Sequence, residues 1–419
     1  MICSYVIVFL YHLLLLILFV SHFSQRSTFF LPAASFLDMD PDRHVGYTIN
    51  AGGRGTLDLL WSCIITIALC TWTIQRLQVI PWSVSKTIIF RKKTLWMLNT
   101  LLCPEYVTWI AFLQWQRARK YREVCMLGHK DWTMQHGFYV DMGGFQVTLE
   151  GASPGLQFGK GNGDILELDD GVRITIRLDD LILLMRADLL PLPNIHIRDL
   201  EERSKNDQFA RFITALQVLH FVVHSVGRLA SNLPISTLEV STLAFVCCAA
   251  FVEYFWWNKP LDLRTATVTT LSPDKHVHFI SILPRLRFNT PEQDLAETRS
   301  FKLFFDRILR DEMRRSIIHV VWIGCIFNGI HVLAWNFFFA SETERLLWQI
   351  TSIGACGSIV LAWAVTFLRS KVPRLVLLGL CSIYCICRIY LIVEVFVGLR
   401  SVPEALYSSA AWQNIFPGV

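Results

Sequence analysis

Residues 209–257 read FARFITALQVLHFVVHSVGRLASNLPISTLEVSTLAFVCCAAFVEYFWW, two apolar runs of membrane length joined by a short turn at 231–236. The first run carries Gln217, His220, His224 and Arg228 at spacings of three, four and four, so a helix lines them up as one polar stripe. The second carries Glu239, Thr242 and Glu253, and the fourteen-residue separation of its acids brings them back near one face. Ionisable groups inside hydrocarbon are costly and face a bundle interior or water. The stretch is therefore expected to be a transmembrane hairpin at the core of a membrane bundle.

Composition supports that class. Of 419 residues, 53% are hydrophobic and 13% aromatic, with only 17% charged. The mean hydropathy is positive. Such a chain is a polytopic membrane protein by composition. Its net charge of +5 is modest, and no basic block with interleaved aromatics argues for nucleic acid. Of twelve cysteines, ten lie in apolar runs, where thiols behave as small apolar groups rather than as disulfides or metal ligands. The predicted fold is an all-α integral membrane bundle of seven to eight apolar segments with a small cytosolic α+β insertion.

Outward from the hairpin, the chain divides as follows. Residues 1–22 form a signal peptide or first anchor, and 23–56 an extracytoplasmic loop rich in proline and glycine. Residues 57–115 hold one span and a second apolar segment, 95–115, interrupted by Pro104-Glu105. Basic residues flank that second segment on both sides: Arg91, Lys92 and Lys93 before it, Arg117, Arg119 and Lys120 after it. Crossing would place one cluster outside, whereas a re-entrant or broken helix keeps both in the cytosol. Residues 116–208 are the cytosolic insertion. In it 164–177 reads as a β-hairpin turning at Asp170-Gly171, and 178–190 as an amphipathic helix capped by Asp179. After the hairpin, Trp256-Trp257-Asn258-Lys259 suits a membrane–water boundary. Residues 258–316 form a cytosolic loop whose 297–315 portion is an amphipathic helix, 317–399 hold three spans, and 400–419 an extracytoplasmic tail.

The candidate chemistry is a polar seam of Glu105, His224, Arg228, Glu239, Glu253 and Arg388. Arg228 and Glu239 flank the hairpin turn and are expected to pair. A carboxyl in a low-dielectric site favours its neutral form and can donate a proton to an alkene, epoxide or carbonyl, the chemistry of a membrane cyclase or isomerase. Arg388 lies thirteen residues into its span and cannot snorkel out. His220 and His224 stand at i and i+4, a geometry two metal ligands can use, but one pair does not make a site. Asn328 and His331 share a helical face. Gly159–Gly163 lacks the spacing of a phosphate loop. No cofactor and no metal is expected.

Several stretches carry a resemblance: Arg54-Gly55-Thr56-Leu57-Asp58-Leu59-Leu60-Trp61-Ser62-Cys63 with Cys70-Thr71-Trp72-Thr73, Pro104-Glu105 with Gln114, Trp256-Trp257-Asn258-Lys259-Pro260-Leu261-Asp262, and residues 388–417. Together they resemble a group of largely uncharacterised fungal polytopic membrane proteins, some encoded among secondary-metabolite genes. The resemblance implies a fungal source and an endoplasmic reticulum, other endomembrane or plasma-membrane location, and it supplies no catalytic residues. The resulting expectation is a membrane-embedded enzyme or accessory factor for a lipophilic polyketide- or terpenoid-type metabolite. The alternative is a secondary transporter or receptor-like protein for such a molecule. In both, the partners are the lipid bilayer and a lipophilic small molecule.

Overall fold

Long apolar runs without proline become helices, and prolines and small polar residues set their ends. The structure is a computed structural model describing residues 44–48, 54–79, 84–126, 132–149, 156–159, 165–168, 173–191, 195–202, 207–261, 263–282, 311–368 and 374–408. In chain order the elements are β1 (His44–Val45), α1 (Thr56–Thr73), α2 (Lys86–Leu102), α3 (Pro104–Met126), α4 (Met134–Asp141), β2 (Phe145–Leu149), β3 (Leu156–Gly159) and β4 (Ile165–Leu168). Then come β5 (Arg173–Thr175), α5 (Leu178–Arg186), α6 (Ile197–Glu202), α7 (Asp207–Ala230), α8 (Thr237–Phe255), β6 (Thr267–Leu271) and α9 (His276–Ile282). The last are α10 (Asp311–Val332), α11 (Glu342–Leu368), α12 (Arg374–Val397) and β7 (Val402–Pro403). The described chain is mostly helical. Among the described residues, five helical stretches are long and apolar enough to cross a membrane: Thr56–Thr73, Phe209–Ala230, Thr237–Phe255, Glu342–Leu368 and Leu375–Arg400.

The hub is α8. It packs against α1, α3 and α10, and buries Leu238, Ala244 and Val252. A reciprocal cap fixes its start. The Ser236 hydroxyl accepts from the Glu239 amide at 3.2 Å, and the Glu239 carboxylate accepts from the Ser236 amide at 2.9 Å. The other helix of the hairpin expected at the core, α7, lies at the margin instead. Gln217 donates to Thr66 on α1, but Phe212, Leu216, Leu219 and Val223 on the other side are exposed. Phe221, Val222, Ser225 and Arg228 form the buried face of α7, His220 of the polar stripe is exposed, and the face carrying Phe212, Leu216, Leu219 and Val223 stands away from the protein.

The segment interrupted by proline is two helices. α2 ends at Leu102, Cys103 leaves helical geometry at φ −136°, ψ 67°, and α3 begins at once on Pro104. Proline suits a first helical position because that N–H has no intrahelical partner. The start of α2 packs Phe90 on Trp72 at the end of α1, and Gln114 of α3 reaches Trp256 just past α8. Both arms therefore point their far ends the same way, and the break lies in the bundle's interior.

The insertion folds around a three-stranded sheet in the order β5-β2-β6, β5 antiparallel and β6 parallel to β2. Phe145, Val147, Ile174, Leu181, Leu271 and Phe279 make its core. The hairpin expected at 164–177 is corrected. β4 pairs with β3, whereas β5 pairs with β2, setting Ile174 opposite Val147. Alternation reports that a strand has a buried side, not which strand it meets. Arg177, not Asp179, stands at the N-cap of α5, and Asp179 accepts from the Tyr121 hydroxyl. The anchor at 1–22, the Asp170-Gly171 turn, most of the glycine run 159–163, the amphipathic helix up to residue 310 and the tail beyond 408 lie outside the described residues.

Candidate functional site

Three buried polar clusters follow one another along α8. At its N-terminal end Glu239 is buried and Arg54 Nη2 donates to its Oε1 at 2.6 Å. Its other oxygen accepts from the Ser236 amide and hydroxyl, both at 2.9 Å. Arg228, fully buried, does not pair with Glu239 as expected. Its guanidinium donates to the carbonyls of Pro234 (2.9 Å), Leu406 (2.8 Å) and Ser408 (2.7 Å). Those carbonyls lie in loop and single-turn backbone with no ladder to join, so a rigid fork of donors satisfies several at once. Next to them Tyr407 bonds Thr56 at 2.8 Å, and β1 pairs with β7. This cluster ties His44, Val45 and Thr56 to Val402, Pro403 and Tyr407.

The middle cluster sits at the break. The last carbonyls of a helix lack intrahelical donors and carry the negative end of its dipole. Arg388 of α12 supplies both needs. Its Nε donates to Leu102 O at 3.3 Å and its Nη2 to Leu101 O at 3.5 Å, while Tyr384 OH donates to Leu102 O at 3.3 Å. The guanidinium lies 4.6 Å from the Phe327 ring centre. Its Nη1 is 3.4 Å from His331 Nε2, and His331 Nδ1 is 3.0 Å from Phe327 O. An N–H at Nδ1 leaves Nε2 as the acceptor for Arg388.

Glu105 stands in the first turn of α3, where a helix favours negative charge. It is buried beside Arg388 and Tyr384. Gly324 of α10 makes room for Ile359 of α11: a methyl there would come 2.8 Å from Ile359, whereas Glu105 Cγ at 3.9 Å would be in ordinary contact. Three buried oxygens in this layer have no hydrogen-bond partner: Glu105 Oε2, Asn328 Oδ1 and Ser352 Oγ. Ser352 is level with Asn328, because its helix places Trp348 on the His331 carbonyl and Ile359 on Gly324.

The third cluster closes the other end of α8, about 21 Å from Glu239 at 1.5 Å per residue. Arg76 Nη2 bonds Glu253 at 2.7 Å and its Nη1 donates to Lys259 O at 2.9 Å. Lys259, four residues past the end of α8, is only 4% exposed. Its Nζ donates to Gln114 Oε1 at 2.9 Å and Arg76 O at 3.1 Å, and lies 4.0 Å from the Trp256 ring centre. Trp256 Nε1 shares the same Gln114 oxygen at 2.9 Å. Burial, then the nearby Arg76 charge, pull the Lys259 amine down to about 7 from 10.5.

Of the six seam residues, the structure brings Glu105 and Arg388 together in the middle and places Arg228 and Glu239 at one end. His224, half-buried on α7, lies near that end cluster, and Glu253 belongs to the third. The His220 and His224 rings stack with centres 6.3 Å apart. Among the described residues no group of three or more His, Cys, Asp or Glu side chains could hold a metal ion. Sequence reading missed Arg54, Arg76 and Tyr384 as members of these clusters. Gln114 and Lys259 stood in the familiar stretches, but 145 residues apart nothing local links them.

A family model described as a family of unknown function (DUF8562) matches residues 25–307 and 366–419. No curated protein and no solved structure matches the chain.

Proposed function

The chain belongs to this family of unknown function, and from its own residues we propose that it is a multi-pass membrane protein, an enzyme or accessory factor working on a lipophilic small molecule at the helix break. Five apolar helices of spanning length support the membrane part, together with exposed Ile350, Ile353 and Leu361 on α11 and Ile383, Ile386 and Val393 on α12. The observation that carries the site is Glu105, buried at the start of α3 with Oε2 unpartnered beside Arg388. An unmade hydrogen bond at such depth costs about 1–3 kcal/mol, which a structural cluster would avoid and a ligand removes.

In this reading Glu105 gives its proton to a carbonyl, epoxide or alkene. The resulting carboxylate is held by Arg388 and the N-terminal end of α3 until it takes a proton back from an adjacent carbon. The net reaction is an isomerisation or cyclisation needing no oxidant. The resemblance to fungal proteins encoded among secondary-metabolite genes supports a polyketide or terpenoid substrate and an endomembrane or plasma-membrane site. A second reading, a secondary transporter or receptor for the same molecules, draws on the break itself, since opposed helix ends inside a bundle are a known way to hold polar groups.

Metabolite profiles of a strain lacking the protein separate the two. An unconverted precursor supports the enzyme; finished product retained inside cells supports transport. Microsomes carrying Glu105→Gln should convert that precursor about 100-fold more slowly than wild type. Unchanged conversion would remove Glu105 from the chemistry.

A further inference from the structure

Helix α7 has two unlike faces. Phe221, Val222, Ser225 and Arg228 are buried against the bundle. The other face is centred on Phe209, Ile213, Leu216, His220 and Val223, all exposed. Their spacings of four, three, four and three keep them within about 80° of arc at 3.6 residues per turn, the seam through which two parallel helices interlock. Among the exposed described side chains of α7, His220 is the only polar one. At 1.5 Å per residue it stands about 16 Å from Phe209 and about 15 Å from Ala230, midway through a hydrocarbon layer about 30 Å thick. Its ring stacks on His224, and it makes no hydrogen bond with another described residue. Acyl chains offer an imidazole neither donor nor acceptor.

We propose that this face of α7 binds the same face of a second copy of the chain, the two protomers related by a two-fold axis along the membrane normal, with the His220 imidazoles hydrogen-bonded to each other at its centre. The proposal rests on the chain spanning a membrane, the reading given above. A second copy is the occupant these residues fit. An axis along the normal keeps both protomers in one orientation, so the two α7 helices run parallel and each seam residue meets its own counterpart. A neutral imidazole carries one donor and one acceptor, and so satisfies its own copy. No exposed Asp, Glu, Lys or Arg lies on α7 between Phe209 and Ala230, so no like charges meet when the face approaches itself. Histidine is among the side chains that join membrane helices by hydrogen bonds.

The test uses the full-length protein, in the membranes of the expressing cell and in phosphatidylcholine vesicles. Photoreactive benzoylphenylalanine in place of Leu216 is expected to cross-link two copies of the chain, whereas the same probe in place of Ile386, exposed on α12, is not. Cross-links from position 216 to a different protein, to the protomer's own residues or to lipid alone overturn the second copy as occupant. Subunit counting by photobleaching in the vesicles measures the dimer directly. His220→Leu should raise its dissociation constant about fivefold, while His220→Asn, which keeps a donor and an acceptor, should stay within about twofold of wild type. Both substitutions are at an exposed position, and monodispersity confirms that each variant folds. A His220→Leu dimer as tight as wild type overturns the histidine pairing. Extraction by alkaline carbonate separates the two readings: release of wild type from the membrane overturns the membrane reading, whereas a protein retained there but monomeric at every density overturns the dimer alone.

Discussion

Each buried cation in the three clusters is balanced differently, and the differences are measurable. Lys259 is the extreme case, because its direct partners are neutral oxygens and an aromatic face. The charges around it are Arg76 and Arg117, Asp141 paired to Arg117 at 3.1 Å, and Glu253 already held by Arg76. Its amine titrates near 7 when folded and near 10.5 in the unfolded chain. Between those values the unfolded chain binds the extra proton, so stability rises with pH across that window. Below pH 7 the full handicap of the buried charge is present. Thermal unfolding of the solubilised protein should therefore shift upward from pH 7 toward 10, and Lys259→Met should flatten that rise. A wild-type profile flat across the window would show that the amine is not buried as described. The identities of such residues were legible in the sequence; their partners were not. Arg228 and Glu239 sit eleven residues apart around a turn and invite pairing. Yet Arg54, 185 residues from Glu239, is the one that arrives. Nothing in local spacing encodes a contact of that separation.

Among the elements, the break between α2 and α3 is the clearest case of a local signal with a global consequence. Proline at position 104 marks where the helix must stop, and basic residues on both flanks mark where its arms end. What the sequence does not carry is the cap. The donors for the orphaned carbonyls of Leu101 and Leu102 come from Tyr384 and Arg388 on α12, 282 and 287 residues away. The strands of the insertion show the opposite failing. Residues 165–168 and 173–175 were both recognisable as strands, but each found a partner outside the expected turn. The arms of α2 and α3 lead to a topological prediction. Single cysteines placed at Lys92 and Arg119, with native thiols blocked, should react with an impermeant maleimide from the same side of sealed vesicles. Reaction from opposite sides would mean that the segment crosses.

The whole molecule is arranged around α8, with charged clusters near its two ends and a polar centre between them, and apolar surface on α7, α11 and α12 directed away from the protein. That distribution was half legible. Hydropathy locates the long helices, but the hairpin expected at the core of the bundle divides into α8, the hub, and α7, an outlying wall. α7 offered no way to see this, because a polar stripe of three or four residues looks the same whether it faces the bundle centre or a single neighbour. Arg228 gives the arrangement a further test. Arg228→Ala strands the carbonyls of Pro234, Leu406 and Ser408, and should cost about 3 kcal/mol in reversible unfolding, with Arg228→Lys recovering only part of it. A neutral Arg228→Ala would mean that these carbonyls are hydrated. The same contacts also impose an order on biosynthesis. The acceptors at 406 and 408 emerge roughly 180 residues after the guanidinium that needs them, and α11 and α12 are made in between. Until then Pro234 O is the one of these three acceptors that Arg228 can reach, so the rest of its guanidinium must stay hydrated. The seam joining β1 to β7 can close only when synthesis has passed residue 403. A ribosome stalled at residue 400 should therefore leave every long described helix made but this seam still open.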